Sequence, residues 1–234
     1  MKAVAMLATL GAISLAASAP GAPPNPGPGF SSVSNLGPAW SPDGKRIAFT
    51  TYAYGRAQIA AIDVSGRRVV RLTNDAFSDF QPRFRRDGTL VFSGQDAGVD
   101  FVATLDRSGR TVKLPLPGSG ADLSPDGKRI VYQVRDEQIP QYQLWVAKAD
   151  GGNARMLVTN ANQDDPHPRW SPDGERIAYV AGANTEFRTI HVIGADDGND
   201  RALTSGGHEW QPAWSPDGRR IAYAEGPFTV PNYS

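Results

Sequence analysis

Three histidines are the first places to look for chemistry in this 234-residue chain. His208-Glu209 has the opening of an H-E-x-x-H zinc helix, but the fifth position is Pro212 and the segment leads into a strand. Neither the helix nor the second imidazole that such zinc chemistry needs is present. His191 lies inside T-I-H-V-I-G and reads as a strand residue, packed or at the surface. Asp196-Asp197 sits at a hairpin tip and lacks the spaced ligands and closing Glu of a calcium loop. The chain has no cysteine, which removes thiolate nucleophiles, thiolate zinc sites, disulfides and a cysteine-linked lipid anchor. No G-x-S-x-G nucleophile elbow occurs either. What remains is a set of polar residues just ahead of three prolines: D-A-F-S-D-F-Q before Pro82, N-Q-D-D-P-H before Pro168 and G-G-H-E-W-Q before Pro212. They put Asp79, Gln81, Asp165, His167, His208, Glu209, Trp210 and Gln211 in roughly equivalent places. Acids, imidazoles and amides gathered in this way suit recognition better than bond-breaking.

The elements that must carry these residues are repetitive. P-A-W-S-P-D-G-K-R-I-A-F at 38–49 returns as P-R-W-S-P-D-G-E-R-I-A-Y at 168–179 and P-A-W-S-P-D-G-R-R-I-A-Y at 212–223, with weaker copies at 82–92 and 121–132. Their aspartates, Asp43, Asp87, Asp126, Asp173 and Asp217, are 44, 39, 47 and 44 residues apart. Strand-rich repeats of about 40–45 residues mark propeller blades rather than helical solenoids. In Ser-Pro-Asp-Gly, Pro presets φ, Asp bonds its own backbone and Gly supplies the positive φ of a tight turn, so the aspartates are expected to be turn residues. Large and small residues alternate after the turn, as in Ile47-Ala48-Phe49, which is the period of a strand. A second hairpin follows in each of the first four copies, around Ser65-Gly66, Ser108-Gly109, Asp150-Gly151 and Asp197-Gly198. Four strands per repeat predict an all-β fold: a β-propeller of four-stranded blades, four of them full, with a composite or truncated fifth. F-S-S-V-S-N at 30–35 is the segment expected to complete the last blade.

The string P-x-W-S-P-D-G-x-x-I-A-[FY] resembles the WD-like repeat of the TolB-type β-propeller family, over nearly all of the chain from Pro38 onward. The resemblance implies a rigid platform of the kind that docks other proteins in the periplasm, or the propeller domain of a prolyl-oligopeptidase-type hydrolase. It speaks strongly for fold and weakly for function. In a propeller, the connections from one blade to the next converge near a channel mouth, which is where the eight polar residues above are expected. The resemblance covers the propeller repeats alone, so the expectation is a propeller without the family's α/β domain ahead of it or a hydrolase domain after it.

The N-terminus follows another logic. Lys2 precedes an uncharged, mostly apolar run, Ala3 to Ala17, and then Ala17-Ser18-Ala19. This is the pattern of a signal peptide over 1–19, too short to span a bilayer. A Pro/Gly-rich linker is expected over 20–37 and the propeller over 38–234. Lys+Arg and Asp+Glu each number 24, so there is no electrostatic footprint for nucleic acid. The expectation is a periplasmic or secreted monomer without cofactor, catalysis or lasting membrane insertion, binding a protein of the envelope. The alternatives are the propeller of a hydrolase whose catalytic domain lies elsewhere, and a glycan or small-ligand sensor built around Trp210.

Overall fold

A computed structural model describes residues 2–6, 35–65, 68–106, 108–135, 138, 141–162, 165–182, 187–205 and 207–226. All regular structure among them is β. The strands are β1 (Lys2–Met6), β2 (Asn35–Trp40), β3 (Arg46–Thr51), β4 (Gln58–Asp63), β5 (Val69–Arg71), β6 (Ser78–Phe84), β7 (Leu90–Asp96), β8 (Val99–Leu105), β9 (Thr111–Pro117), β10 (Ser119–Leu123), β11 (Arg129–Arg135), β12 (Tyr142–Lys148), β13 (Arg155–Asn162), β14 (Arg169–Trp170), β15 (Arg176–Ala181), β16 (Thr189–Gly194), β17 (Asp200–Ala202), β18 (Glu209–Trp214) and β19 (Arg220–Glu225). They form four four-stranded blades, β2 to β5, β6 to β9, β10 to β13 and β14 to β17, and a fifth, three-stranded sheet in the order β1-β19-β18. The fold is the expected β-propeller, four full blades and a partial fifth.

That fifth sheet is composite, but its extra strand is not the expected one. Lys2–Met6 pairs in parallel with β19, from Lys2 beside Arg220 to Met6 beside Ala224. Of the segment 30–35, Phe30 to Ser34 lie outside the described residues, and Asn35 opens β2 opposite Thr51. The bare edge of β19 accepts a strand from the N-terminus because an unpaired row of amides and carbonyls is costly to leave open. The linker expected over 20–37 likewise lies outside the described residues, except for its last three, which are strand.

The described residues fall into two compact units, one ending at Leu123 and one running from Ser124 onward together with β1. In the first, the small residues Ala48 and Ala61 and the side chain of Ile59 meet Leu90, Phe92, Phe101, Ala103 and Leu105 of the next blade. Phe101 comes so close that a Cβ on Gly94 would lie 2.2 Å from its ring, so only glycine fits there. In the second, Val131, Leu144 and Val146 meet Trp170, Ile177, Tyr179 and Ile193. Ala178, Val180, Ile190 and Val192 then meet Ile221, with Trp210, Trp214 and Tyr223 packed alongside. The alternation thus buries a strand on both faces, with Ala48, Ala61 and Ala178 giving small residues to larger ones of the next blade.

The hairpins between the first two strands of each blade are locked by their own side chains. The Ser41 hydroxyl donates to Asp43 (2.6 Å) and accepts from the Arg46 amide (2.9 Å), while the Lys45 amide donates to Asp43 (3.1 Å). The same bonds recur around Asp126, Asp173 and Asp217. In the second blade the turn is one residue shorter, and the Thr89 hydroxyl takes over from serine at 2.6 Å from Asp87. The serine hydroxyls come first in holding the Asp43, Asp126 and Asp217 carboxyls below the usual range. Each aspartate is committed to its own turn.

Candidate functional site

Polar residues ahead of the prolines occupy one recurring irregularity. On entering its blade, the first strand makes a bulge: pairing shifts between Leu36 and Ala39, between Phe80 and Arg83, and between Trp210 and Ala213. The residue before the proline adopts a left-handed backbone each time, with φ of 59° at Gly37, 53° at Gln81, 46° at His167 and 51° at Gln211. Gly120, in the third blade, joins them at 62°. Proline has no amide to give to the ladder, so it belongs at such a bulge. For Gln81, His167 and Gln211 the conformation is strained, since a Cβ disfavours left-handed φ and a following proline restricts the backbone further.

Hydroxyls of the preceding blade hold two of these bulges in the first unit. The Thr50 hydroxyl accepts the Gln81 amide at 3.0 Å, and the Ser93 hydroxyl accepts the Gly120 amide at 2.8 Å. In the second unit the entry to the fourth blade is turned by Asp165, which accepts the His167 amide at 3.1 Å while the imidazole Nδ1 lies 3.5 Å away. Sequence reasoning missed Gly37 and Gly120, the other two members of the set. Their signal was present only as a glycine near the start of a blade's first strand, with no polar side chain to draw attention.

The eight expected site residues divide by depth. Gln81, Asp165, His167 and Trp210 are half-buried, and His208 and Gln211 are exposed. Asp79 and Glu209 are not available to a partner, being 0% and 3% exposed. Each carboxyl sits at the start of its bulge because the backbone amide of the same residue is tied inward, Asp79 to the Ala57 carbonyl (2.9 Å) and Glu209 to the Arg188 carbonyl (3.3 Å). Both Asp79 carboxyl oxygens are shut off from solvent. Burial pushes its carboxyl up to about 7; the Thr73 hydroxyl and Arg71 oppose this, and the neighbouring Asp75 adds to it. Trp210 packs against the core between the fourth and fifth sheets, which leaves little of its ring for stacking on a sugar.

Other chemistry-bearing residues serve the scaffold. His191 lies on β16 with Nδ1 3.0 Å from Asp200, which also accepts the Tyr179 hydroxyl at 3.0 Å, a cross-strand cluster within one blade. Asp196 accepts Arg129 at 2.9 Å, and Asp197 closes its own turn through the Asn199 amide. Among the described residues no group of three or more His, Cys, Asp or Glu could hold a metal ion.

Comparison with known proteins places these features in context. The model for the TolB beta propeller domain matches residues 31–228. The Tol-Pal system protein TolB of Francisella tularensis is 24% identical over 216 residues, covering 69% of this chain and 49% of its own length. The chain spans about half the length of the curated TolB relatives it matches. A putative TolB from Agrobacterium tumefaciens superposes with a TM-score of 0.68 at 25% identity, over 80% of this chain and 73% of that one. A puromycin-hydrolyzing peptidase of Mycobacterium tuberculosis shares the fold at 20% identity, with a TM-score of 0.58 over 78% of this chain and 33% of its own.

Proposed function

Since the chain belongs to the TolB beta propeller domain family, we propose that it is an exported, non-catalytic propeller that docks a protein of the cell envelope through its bulged strand entries. The residues that would touch the partner are Gln81, Asp165, His167, His208, Trp210 and Gln211, with Asp79 and Glu209 shaping the same bulges from beneath. One observation carries the reading: three non-glycine residues before proline, Gln81, His167 and Gln211, keep a left-handed φ that glycine would take without strain. Strain retained at equivalent positions is a mark of side chains held for use. A relative named for a multi-protein system supports a protein as the ligand. The leader pattern of Lys2, the apolar run and Ala17-Ser18-Ala19 supports export.

The test is site-specific photo-crosslinking of the full chain in its native envelope. A crosslinker at Gln211 or Gln81 is expected to trap a discrete protein, and one at the exposed hairpin residue Asn199 is expected to trap none. Equal labelling at all three positions, or reproducible turnover of peptides or esters by the purified protein, would remove the proposal. Mass analysis of the exported protein should find its N-terminus near Ala19, which would take β1 away and leave the β18-β19 hairpin of the fifth sheet.

A further inference from the structure

The blade-to-blade connection that leads to Gln81 is held by side chains from both of its blades. From Asn74 to Phe77 the chain lies between β5 and β6, outside either strand. On the first-blade side, the Gln58 amide donates to the Phe77 carbonyl at 2.8 Å, Arg56 donates to the Ala76 carbonyl, and the Thr73 hydroxyl accepts the Ile59 amide at 2.9 Å. On the second-blade side, the Thr111 hydroxyl donates to Asp75 at 2.8 Å and the Lys113 ammonium lies 3.8 Å from the Phe77 ring centre. Asp75 also accepts the Phe77 amide at 3.1 Å, which fixes its carboxylate in place.

Asp79 ends this segment, 0% exposed, with Asp75 beside it. Arg71 acts against the two acids, but its guanidinium already serves the Gln58 side-chain oxygen at 3.0 Å and the Thr73 carbonyl at 2.7 Å. Gly94 stands opposite Asp79 on β7, and Asp96 farther along that strand pairs with Lys113 at 3.1 Å. On β3, β4 and β10, which also pack against β6, the charged residues Arg46, Asp63 and Asp122 lie toward the hairpin ends, away from the strand entry. A proton is what lets Asp79 sit here. Without it, a buried charge stands next to a fixed carboxylate, with Arg71 already shared.

We infer that the segment from Thr73 to Asp79 is a proton-operated clasp on the second-blade strand entry, closed while Asp79 is neutral and opened when Asp79 ionises beside Asp75. The Asp79 amide donates to the Ala57 carbonyl at 2.9 Å and, two residues on, the Gln81 amide donates to the Thr50 hydroxyl at 3.0 Å, so opening loosens the bulge that presents Gln81. On the reading that Gln81 touches a partner, on which this role rests, docking there is stronger below neutral pH than above it. Burial keeps the Asp79 carboxyl up at about 7 in the closed form. Opening admits water and returns it to an ordinary value of about 4. The open form therefore gains about tenfold per pH unit between roughly pH 4 and pH 7, and levels off above.

Hydrogen exchange of the full chain from about pH 5 to about pH 8, corrected for the intrinsic exchange rate, tests the clasp. Protection at Phe77, Asp79 and Gln81 is expected to fall about tenfold per pH unit up to about pH 7 and then level off, and to stay below that of β7 throughout. In Asp79→Asn it should no longer vary with pH, and the Ser41–Arg46 hairpin should show no such fall in either protein. Flat protection in the wild type, the same fall in Asp79→Asn, or equal protection in the segment and in β7 would each overturn the clasp, the last because only global unfolding would then reach Asp79. Should Asp79→Asn lose cooperative melting, Asp75→Asn carries the test: without the neighbouring carboxylate the plateau is expected at lower pH, and an unmoved plateau overturns the proposal. Photo-crosslinking from Gln81 is expected to trap more protein at about pH 6 than at about pH 8, and trapping that ignores pH overturns the control of docking. Protection that falls as expected, with nothing trapped from Gln81 at either pH, upholds the clasp and removes the docking reading, so the two fail separately.

Discussion

Asp79 and Gln211 show two ways in which a single residue stores free energy at a strand entry. Asp79 is fully buried, and burial holds its carboxyl up at about 7. A raised acid binds its proton more tightly folded than unfolded, so stability is greatest below the unfolded value and falls as pH rises toward 7. The slope is about 1.4 kcal/mol per pH unit between roughly pH 4 and pH 7. Asp79→Asn removes that titration, and chemical denaturation over the same range is expected to show a flatter profile, with the variant gaining most on wild type at neutral pH. An unchanged slope would mean that Asp79 is ionised in the folded protein. At Gln211 the stored energy is backbone strain, which costs on the order of 1–3 kcal/mol for a left-handed non-glycine residue. Gln211→Gly is therefore expected to melt no lower than wild type and yet to lose the partner trapped by a crosslinker at His208 of the same strand entry. Loss of stability together with loss of trapping would mean that the side chain serves packing alone.

At the scale of the element, the hairpin serine does more than its place in the motif suggests. Ser171 is 0% exposed; its hydroxyl donates to Asp173, accepts the Arg176 amide at 2.9 Å and lies 2.9 Å from the Arg176 carbonyl. Burial alone would push the Asp173 carboxyl up, but bonds from Ser171, the Glu175 amide and Arg176 outweigh it and bring it to about 2. Ser171→Ala leaves the part-buried Arg176 amide without its side-chain acceptor and should cost about 1–3 kcal/mol in urea denaturation. Thr89→Val in the second blade removes only an exposed hydroxyl and should cost less, since solvent replaces it. Equal losses would show that the turn backbone, and not the buried serine, holds the hairpin. The motif made these elements legible before any coordinates: Asp-Gly is a local turn signal, and its meaning survives the loss of the Pro and Trp in the second blade. The bulge was less legible, because a left-handed residue is announced by glycine at 37 and 120 but hidden behind ordinary side chains at 81, 167 and 211.

For the whole molecule, repetition fixes the architecture, and what packs on each copy of the repeat decides where the copies differ. Trp40, Trp170 and Trp214 share one motif, yet Trp40 alone among them is largely exposed, because what covers such a ring is the preceding blade. Strand β1 shows the same dependence on surroundings. Its residues read as a leader, and they pair with β19 because that strand has an edge to offer. The amino-acid sequence by itself determined the all-β repeat, the hairpins and the absence of thiol chemistry, since these rest on contacts between residues close in the chain or on composition. Only the tertiary structure decided which polar residues at the strand entries face solvent, and that Asp79 and Glu209 do not. Burial is a property of what packs from elsewhere in the chain, and five nearly identical motifs carry no record of their neighbours.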